Sequence, residues 1–196
     1  MAKTYGVGYD GTVTGIGQCP FDMDRLQKEY SEGSESSTKK IDFGAGLEDG
    51  SGKSEVPLLA NSCFFETATS SLRNTNLIKP GSAKASDFWG VISDSVIVPK
   101  LVQKLHEGAV DKIIVSSWMS IGNEGAEVVQ TFTYDTCFMK LVDPVSYGFL
   151  TLFSFAFSRV TINQSDIEQT SNGGVHARAG QYVYVFDYTA GSGAAG

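Results

Sequence analysis

The stretch Val91–Met119, VISDSVIVPKLVQKLHEGAVDKIIVSSWM, decides the fold. Val98, Leu101, Val102 and Leu105 recur at i, i+3, i+4 and i+7, one apolar stripe at helical period. Pro99 stands where a first helical turn tolerates a missing N–H. Gly108 follows the last apolar residue, where a left-handed cap is favoured. His106 lies in the last turn, where positive charge is favoured. The spacing predicts one helix over Pro99–Glu107, with Leu101 and Leu105 buried. Lys112–Trp118 follows as a strand. A short helix is thus delivered into a strand, in a chain whose other segments read almost entirely as β.

Downstream, Gly122–Gly125 reads as a turn. Glu127–Tyr134 and Thr136–Val142 read as strands split near Asp135, with a turn at Asp143 and Pro144. Tyr147–Ile162 reads as one long strand. Asn163–Gly180 is a polar loop around Asn172, Gly173 and Gly174, and Gln181–Tyr188 is a last strand. Upstream, Tyr5, Val7 and Tyr9 alternate with glycine as a first strand, and Phe21–Tyr30 is a short helical turn. Ile41–Gly46 is a short strand and Val56–Thr69 a buried one. Ser31–Thr38 and Leu47–Ser54 are loops. Ser70–Ser86 is linker-like, with a turn at Pro80 and Gly81. The expected organisation is one β-barrel domain over residues 1–190, with a long N-terminal loop or extension at about 21–85. Residues 191–196 are expected to be a flexible tail.

The strand faces carry more information than the strands. Phe153, Phe155 and Phe157 point one way, and Leu152, Ala156 and Val160 the other. In the last strand Tyr182, Tyr184, Phe186 and Tyr188 oppose Val183 and Val185. Antiparallel sheets commonly leave one face wet and polar, so two dry faces need two covers, and one helix covers only part of one. The expected architecture is mainly β: an antiparallel barrel of two packed sheets flanked by one short helix, its outer wall packed on neighbouring subunits.

Composition narrows the function. The 196 residues suffice for one good core. The net charge of −7 leaves no basic stripe, which argues against nucleic-acid binding. No apolar run reaches membrane-spanning length; the nearest, Tyr147–Phe157, is too short. The segment MAKTYGVGYDG has no apolar h-region, so no signal peptide is expected. Cys19, Cys63 and Cys137, odd in number and widely spaced, argue against a disulfide framework or a zinc site and read as reduced, mostly buried thiols.

No motif carries chemistry. Gly46–Ser54, GLEDGSGKS, imitates a phosphate loop, but five residues rather than four separate Gly46 from Gly52. SEVPLLANS follows where a helix should open, and Glu48 and Asp49 would repel phosphate. His106 and His176 lack the partners of a catalytic triad or a metal site. Asp22, Asp24, Glu29, Glu32 and Glu35 cluster in a polar segment and read as a solvated face rather than paired glycosidase acids. The expectation is no catalytic residue, no metal ligand and no cofactor.

The order of elements resembles a known family. Asp94, Pro99, Leu101 and Gly108 are followed by Ile113, Val115 and Gly125. The strand pair EVVQTFTYDTCFMKLV and then FSFAFSRVTI complete the pattern. From about residue 90 to 190 this resembles the haemolysin-coregulated protein (Hcp) family, the tube protein of type VI secretion, and behind it the phage tail-tube proteins. The resemblance implies a barrel flanked by one helix, rings that are commonly hexameric, and stacking of rings into a hollow tube inside a contractile sheath. It implies partners of the same machine: further copies of the chain, sheath, spike and effectors. It also implies cytoplasmic assembly followed by secretion or injection, a mechanical role, and no active site. In this reading the loops Ser31–Thr38 and Ser165–Gly174 are expected to make ring-to-ring or sheath contacts. The alternative is a non-catalytic barrel or sandwich that binds sugar through Trp89, Trp118 and the Tyr182, Tyr184 and Tyr188 row.

Overall fold

The fold comes from a computed structural model, which describes residues 4–6, 15–33, 37–71, 78–121, 125–169, 175–187 and 192–195. In chain order the elements are β1 (Thr4–Gly6), β2 (Gly15–Gln18), α1 (Met23–Ser31), β3 (Lys39–Asp42), β4 (Glu55–Ser62), β5 (Phe65–Ser71), β6 (Ile78–Ala85), β7 (Phe88–Ser93), α2 (Val98–Glu107), β8 (Val110–Ile121), β9 (Gly125–Tyr147), β10 (Leu150–Ala156), β11 (Arg159–Gln169), β12 (Val175–Asp187) and β13 (Ser192–Ala195). The expected turn at 122–124, the centre of the Asn172 loop and Tyr188 lie outside the described residues.

Six strands close a barrel in the order β10–β7–β4–β3–β8–β9, with β9 returning to β10, every pairing antiparallel. β11, β12 and β13 continue the sheet outward from β9. β1–β2 and β5–β6 form separate hairpins. The expected antiparallel barrel is therefore present, accompanied by two helices rather than one.

β9 makes the closure possible. The sequence splits it near Asp135 and turns it at Pro144, yet it runs unbroken from Gly125 to Tyr147. Residues up to Cys137 pair with β8, and residues from Phe138 pair with β10. At the hand-over Thr136 takes a positive φ of 50°, a local kink. The expected long strand over Tyr147–Ile162 is instead two, β10 and β11, running along one edge of β9. They part where Ser158 donates its N–H and hydroxyl to the Asp135 carbonyl, at 3.1 and 3.0 Å. β10 then belongs to the barrel and β11 to the outward sheet. At Asp143 the carboxylate accepts the Val145 and Ser146 N–H groups within a register shift, not a hairpin turn.

Three other segments differ from expectation. Residues 21–85 are not a loop extension: they supply α1, two barrel strands and the β5–β6 hairpin. Pro80 and Gly81, expected as a turn, lie within β6, with Pro80 opposite Thr69 beside a register shift. A proline, which has no N–H to give to a ladder, is tolerated in a two-stranded pair beside such an irregularity. The expected loop Ser165–Gly174 gives Ser165–Gln169 to β11, and residues 175–180 belong to β12. Ser192–Ala195, expected within a loose tail, pair with β12 as β13.

α2 stands where its stripe predicts, with Pro99 in the first turn. Ile97, Val98 and Leu101 enter the barrel's interior core, while Leu105 packs at its margin, only half-buried. Gly108 ends the helix at φ 112° and ψ −149°, not in the left-handed helical well but in a region almost confined to glycine.

Candidate assembly surface

The interior of the barrel is filled with aromatic rings. Phe88 stacks on Phe155 at 4.7 Å, and Tyr134 meets Phe157 edge-on at 4.8 Å. Ile41, Phe43, Ile113, Val115, Phe153 and Phe186 complete the packing.

The outer wall of β7, β10 and β9 is also apolar, carrying Trp89, Val91, Leu150, Leu152 and Tyr147. The sequence assigns this second face to a neighbouring subunit. The structure instead covers it with the chain's own Cys19, Phe21, Met23 and Leu26. α1 can form there because Asp22 caps it, its carboxylate accepting the Arg25 N–H at 3.2 Å. Met23, near its start, is its fully buried residue. Sequence reasoning missed this cover because Phe21, Met23 and Leu26 are too few to print a stripe. Val160, expected on that outer face, lies in the interior core, since the break at Ser158 resets the alternation.

The remaining candidate residues take structural roles. Asp22 is a cap, Glu29 pairs with Arg25 at 2.5 Å, and Glu32 approaches Lys28 at 3.9 Å, all on one short helix. Asp24 is exposed, and Glu35 lies outside the described residues. His106 is exposed at the end of α2. His176 is not in a loop but in β12, opposite Glu168 of β11. Among the described residues no group of three His, Cys, Asp or Glu could hold a metal ion.

The phosphate-loop imitation fails for a structural reason as well as a spacing one. Its N–H groups already hold internal anions. The Asp49 carboxylate accepts the Ser51 N–H at 2.8 Å, the Ser51 hydroxyl at 2.7 Å and the Lys53 N–H at 2.9 Å. The Glu48 carboxylate accepts the Gly46 N–H at 2.9 Å. These bonds hold both carboxyls below their ordinary values, led at Asp49 by the Ser51 hydroxyl and at Glu48 by backbone N–H groups.

All three cysteines are free thiols. Burial pushes Cys63 up to about 11 and Cys137 up to about 12, and it also raises Cys19. Trp89, a candidate sugar platform, is buried beneath the α1 segment. Trp118 has the Lys40 ammonium over its ring at 4.8 Å. Tyr182 and Tyr184 are exposed.

What the described surface does present is apolar residues at both ends of one wall. Val96, Val145, Phe149 and Tyr30 are exposed around the β9–β10 turn. Phe64, Phe65 and Phe138 are exposed at the opposite end, where β4 finishes and β7 begins. No helix among the described residues is long and apolar enough to cross a membrane.

No protein-family model matches the sequence, and no curated protein matches it. Solved structures do match the fold. A type six secretion system protein aligns with a TM-score of 0.64 at 12% identity, over 81% of this chain and 100% of its own. An Hcp1 protein from E. coli EAEC 042 aligns with a TM-score of 0.55 at 12% identity, over 78% of this chain and 99% of its own. Hcp1 from Salmonella typhimurium aligns with a TM-score of 0.55 at 13% identity, over 80% and 97%. The chain thus has the Hcp fold, mainly β with a closed barrel, at a sequence distance where the likeness speaks for the fold alone.

Proposed function

We propose that this chain is a structural subunit of the inner tube of a contractile injection machine of the type VI secretion kind. In this reading residues 1–190 form one tube-type domain. Copies assemble into rings, commonly of six in that family, and the rings stack into a tube that carries effectors. The partners are further copies of the chain, then the sheath, spike and effectors of the same machine. Assembly takes place in the bacterial cytoplasm, and the tube is then secreted or injected. The role is mechanical rather than catalytic.

The observation that carries the reading is the alignment of nearly the whole length of type VI secretion and Hcp structures onto about four-fifths of this chain. The sugar-binding alternative is weakened because Trp89 is buried and Trp118 is engaged by Lys40. Light scattering at micromolar concentration with negative-stain microscopy tests the proposal. Rings or tubes are the expected result. A folded, stable monomer with no rings would return the binding module to the front.

A further inference from the structure

Four large apolar side chains stand exposed at one end of the β7–β10–β9 wall: Val96 at 65%, Val145 at 84%, Phe149 at 71% and Tyr30 at 38%. They share one neighbourhood. Tyr30 and Phe149 line the same groove, and the Asp94 N–H, two residues before Val96, donates to the Phe149 carbonyl at 2.8 Å. The patch is also held rigid, because Asp143 accepts the Val145 and Ser146 N–H groups at 3.2 and 3.0 Å. A docking turn fixed in advance loses little freedom on contact.

The other end carries Phe64 at 58%, Phe65 at 39% and Phe138 at 50%. Ser86 binds the Phe64 backbone through both its N–H and its hydroxyl oxygen, at 2.9 and 3.0 Å. Its neighbour Asp87 accepts Lys140, two residues from Phe138. β10 joins the two ends: it starts at Leu150, beside Phe149, and finishes at Ala156, the partner of Phe138. Its seven residues at about 3.3 Å each place the patches roughly 20 Å apart along the strands.

We infer that the Val145–Phe149 turn of one copy docks on the Phe64, Phe65 and Phe138 patch of the next. An unrelated partner would need one patch. Two, at opposite ends of the same strands, are what a head-to-tail contact between identical chains requires. Charge does not select the partner: Asp24 and Lys28 both line the first groove, and Lys140 beside the second patch is already paired with its own Asp87. The contact rests on the self-assembly proposed above, and it moves the junction from the polar loops to apolar ends.

The test uses the full chain in three forms: wild type, a first-patch variant (Val145→Asp with Phe149→Asp) and a second-patch variant (Phe64→Asp with Phe138→Asp). Near-ultraviolet circular dichroism checks folding, and Val145→Asp alone serves if Phe149→Asp disturbs it. By light scattering each variant alone should stop at a unit smaller than the wild-type assembly. An equimolar mixture should give a species of twice that unit's mass, because one intact junction remains and both outer ends are blocked. Variants that assemble like wild type would overturn the inference and leave the proposed function standing. So would a second-patch variant that doubles on its own, since that is a head-to-head contact. A wild-type chain that stays monomeric would overturn both.

Discussion

Gly90 lies directly against the ring of Phe153: a Cβ on Gly90 would stand 2.4 Å from Phe153 Cζ and 3.0 Å from Phe88 Cε1. Gly90 and Phe153 are register partners on adjacent barrel strands. The glycine is therefore the space into which the phenylalanine folds. Gly90→Ala should destabilise by about 1–3 kcal/mol through overpacking. Adding Phe153→Leu should recover part of that loss, because the smaller side chain vacates the clash. Urea unfolding of the single and double variants reads both effects, and additive losses in the double variant would contradict the clash.

Leu101 and Leu105 share the helical stripe but not the same depth. Leu101 is fully buried in the interior core, and Leu105 is half-buried at its edge. Leu101→Ala should cost about 2–5 kcal/mol, and Leu105→Ala clearly less. Equal losses in chemical denaturation would mean that α2 sits rotated from the position described.

Met23→Ala should loosen the outer cover of the barrel, at a cost of about 2 kcal/mol or more. Trp89 lies in the cluster that Met23 completes, so its fluorescence should shift to the red. Binding of a hydrophobic dye should rise as Leu150 and Leu152 become wet. An unchanged emission spectrum would show that α1 does not shield this wall.

Much of this was legible before the structure. Val98, Leu101, Val102 and Pro99 printed α2, and the alternation of Phe153 and Phe155 printed the interior face of β10. Legibility failed where long-range pairing overrode local chemistry. Pro80 and Gly81 carry a turn signal, but β5 recruits them into a strand. Asp135 and Pro144 look like breaks, but β10 and β11 pair along β9 across both. The second apolar face was read correctly as needing a cover. Which segment supplies it depends on where residues 19–26 pass in space, and three scattered apolar residues do not encode that. The assembly surface was least legible, because exposure at Val145 or Phe149 depends on a register shift that no local pattern announces.

The Asp49 turn gives a dependence on pH with a definite sign. Its folded-state pKa lies below the ordinary value of about 3.9, chiefly through the Ser51 hydroxyl. A lowered carboxyl contributes stability above the unfolded value, and that contribution is lost as pH falls through the folded value. The loop should therefore loosen below about pH 4, seen as faster exchange of the Ser51 and Lys53 amides than their neighbours show. Asp49→Asn should remove this acid step. An acid step that survives the substitution would assign it to another group.

Replacing His106 and His176 together by Ala should leave assembly unchanged in light scattering and micrographs. Loss of assembly with an intact fold would give one of them a role in the contact.

Burial holds Cys63 and Cys137 in the thiol form in the folded chain. With Cys63 near 11 and Cys137 near 12, their thiolate fractions fall at least several hundred-fold below that of a free cysteine near 8.5. A protein built this way can pass from a reducing interior to oxidising surroundings without crosslinking to its neighbours. The same property turns Cys137 into a clock. It is wholly buried in the interior core, so its alkylation during a long incubation of a native sample counts how often a subunit opens.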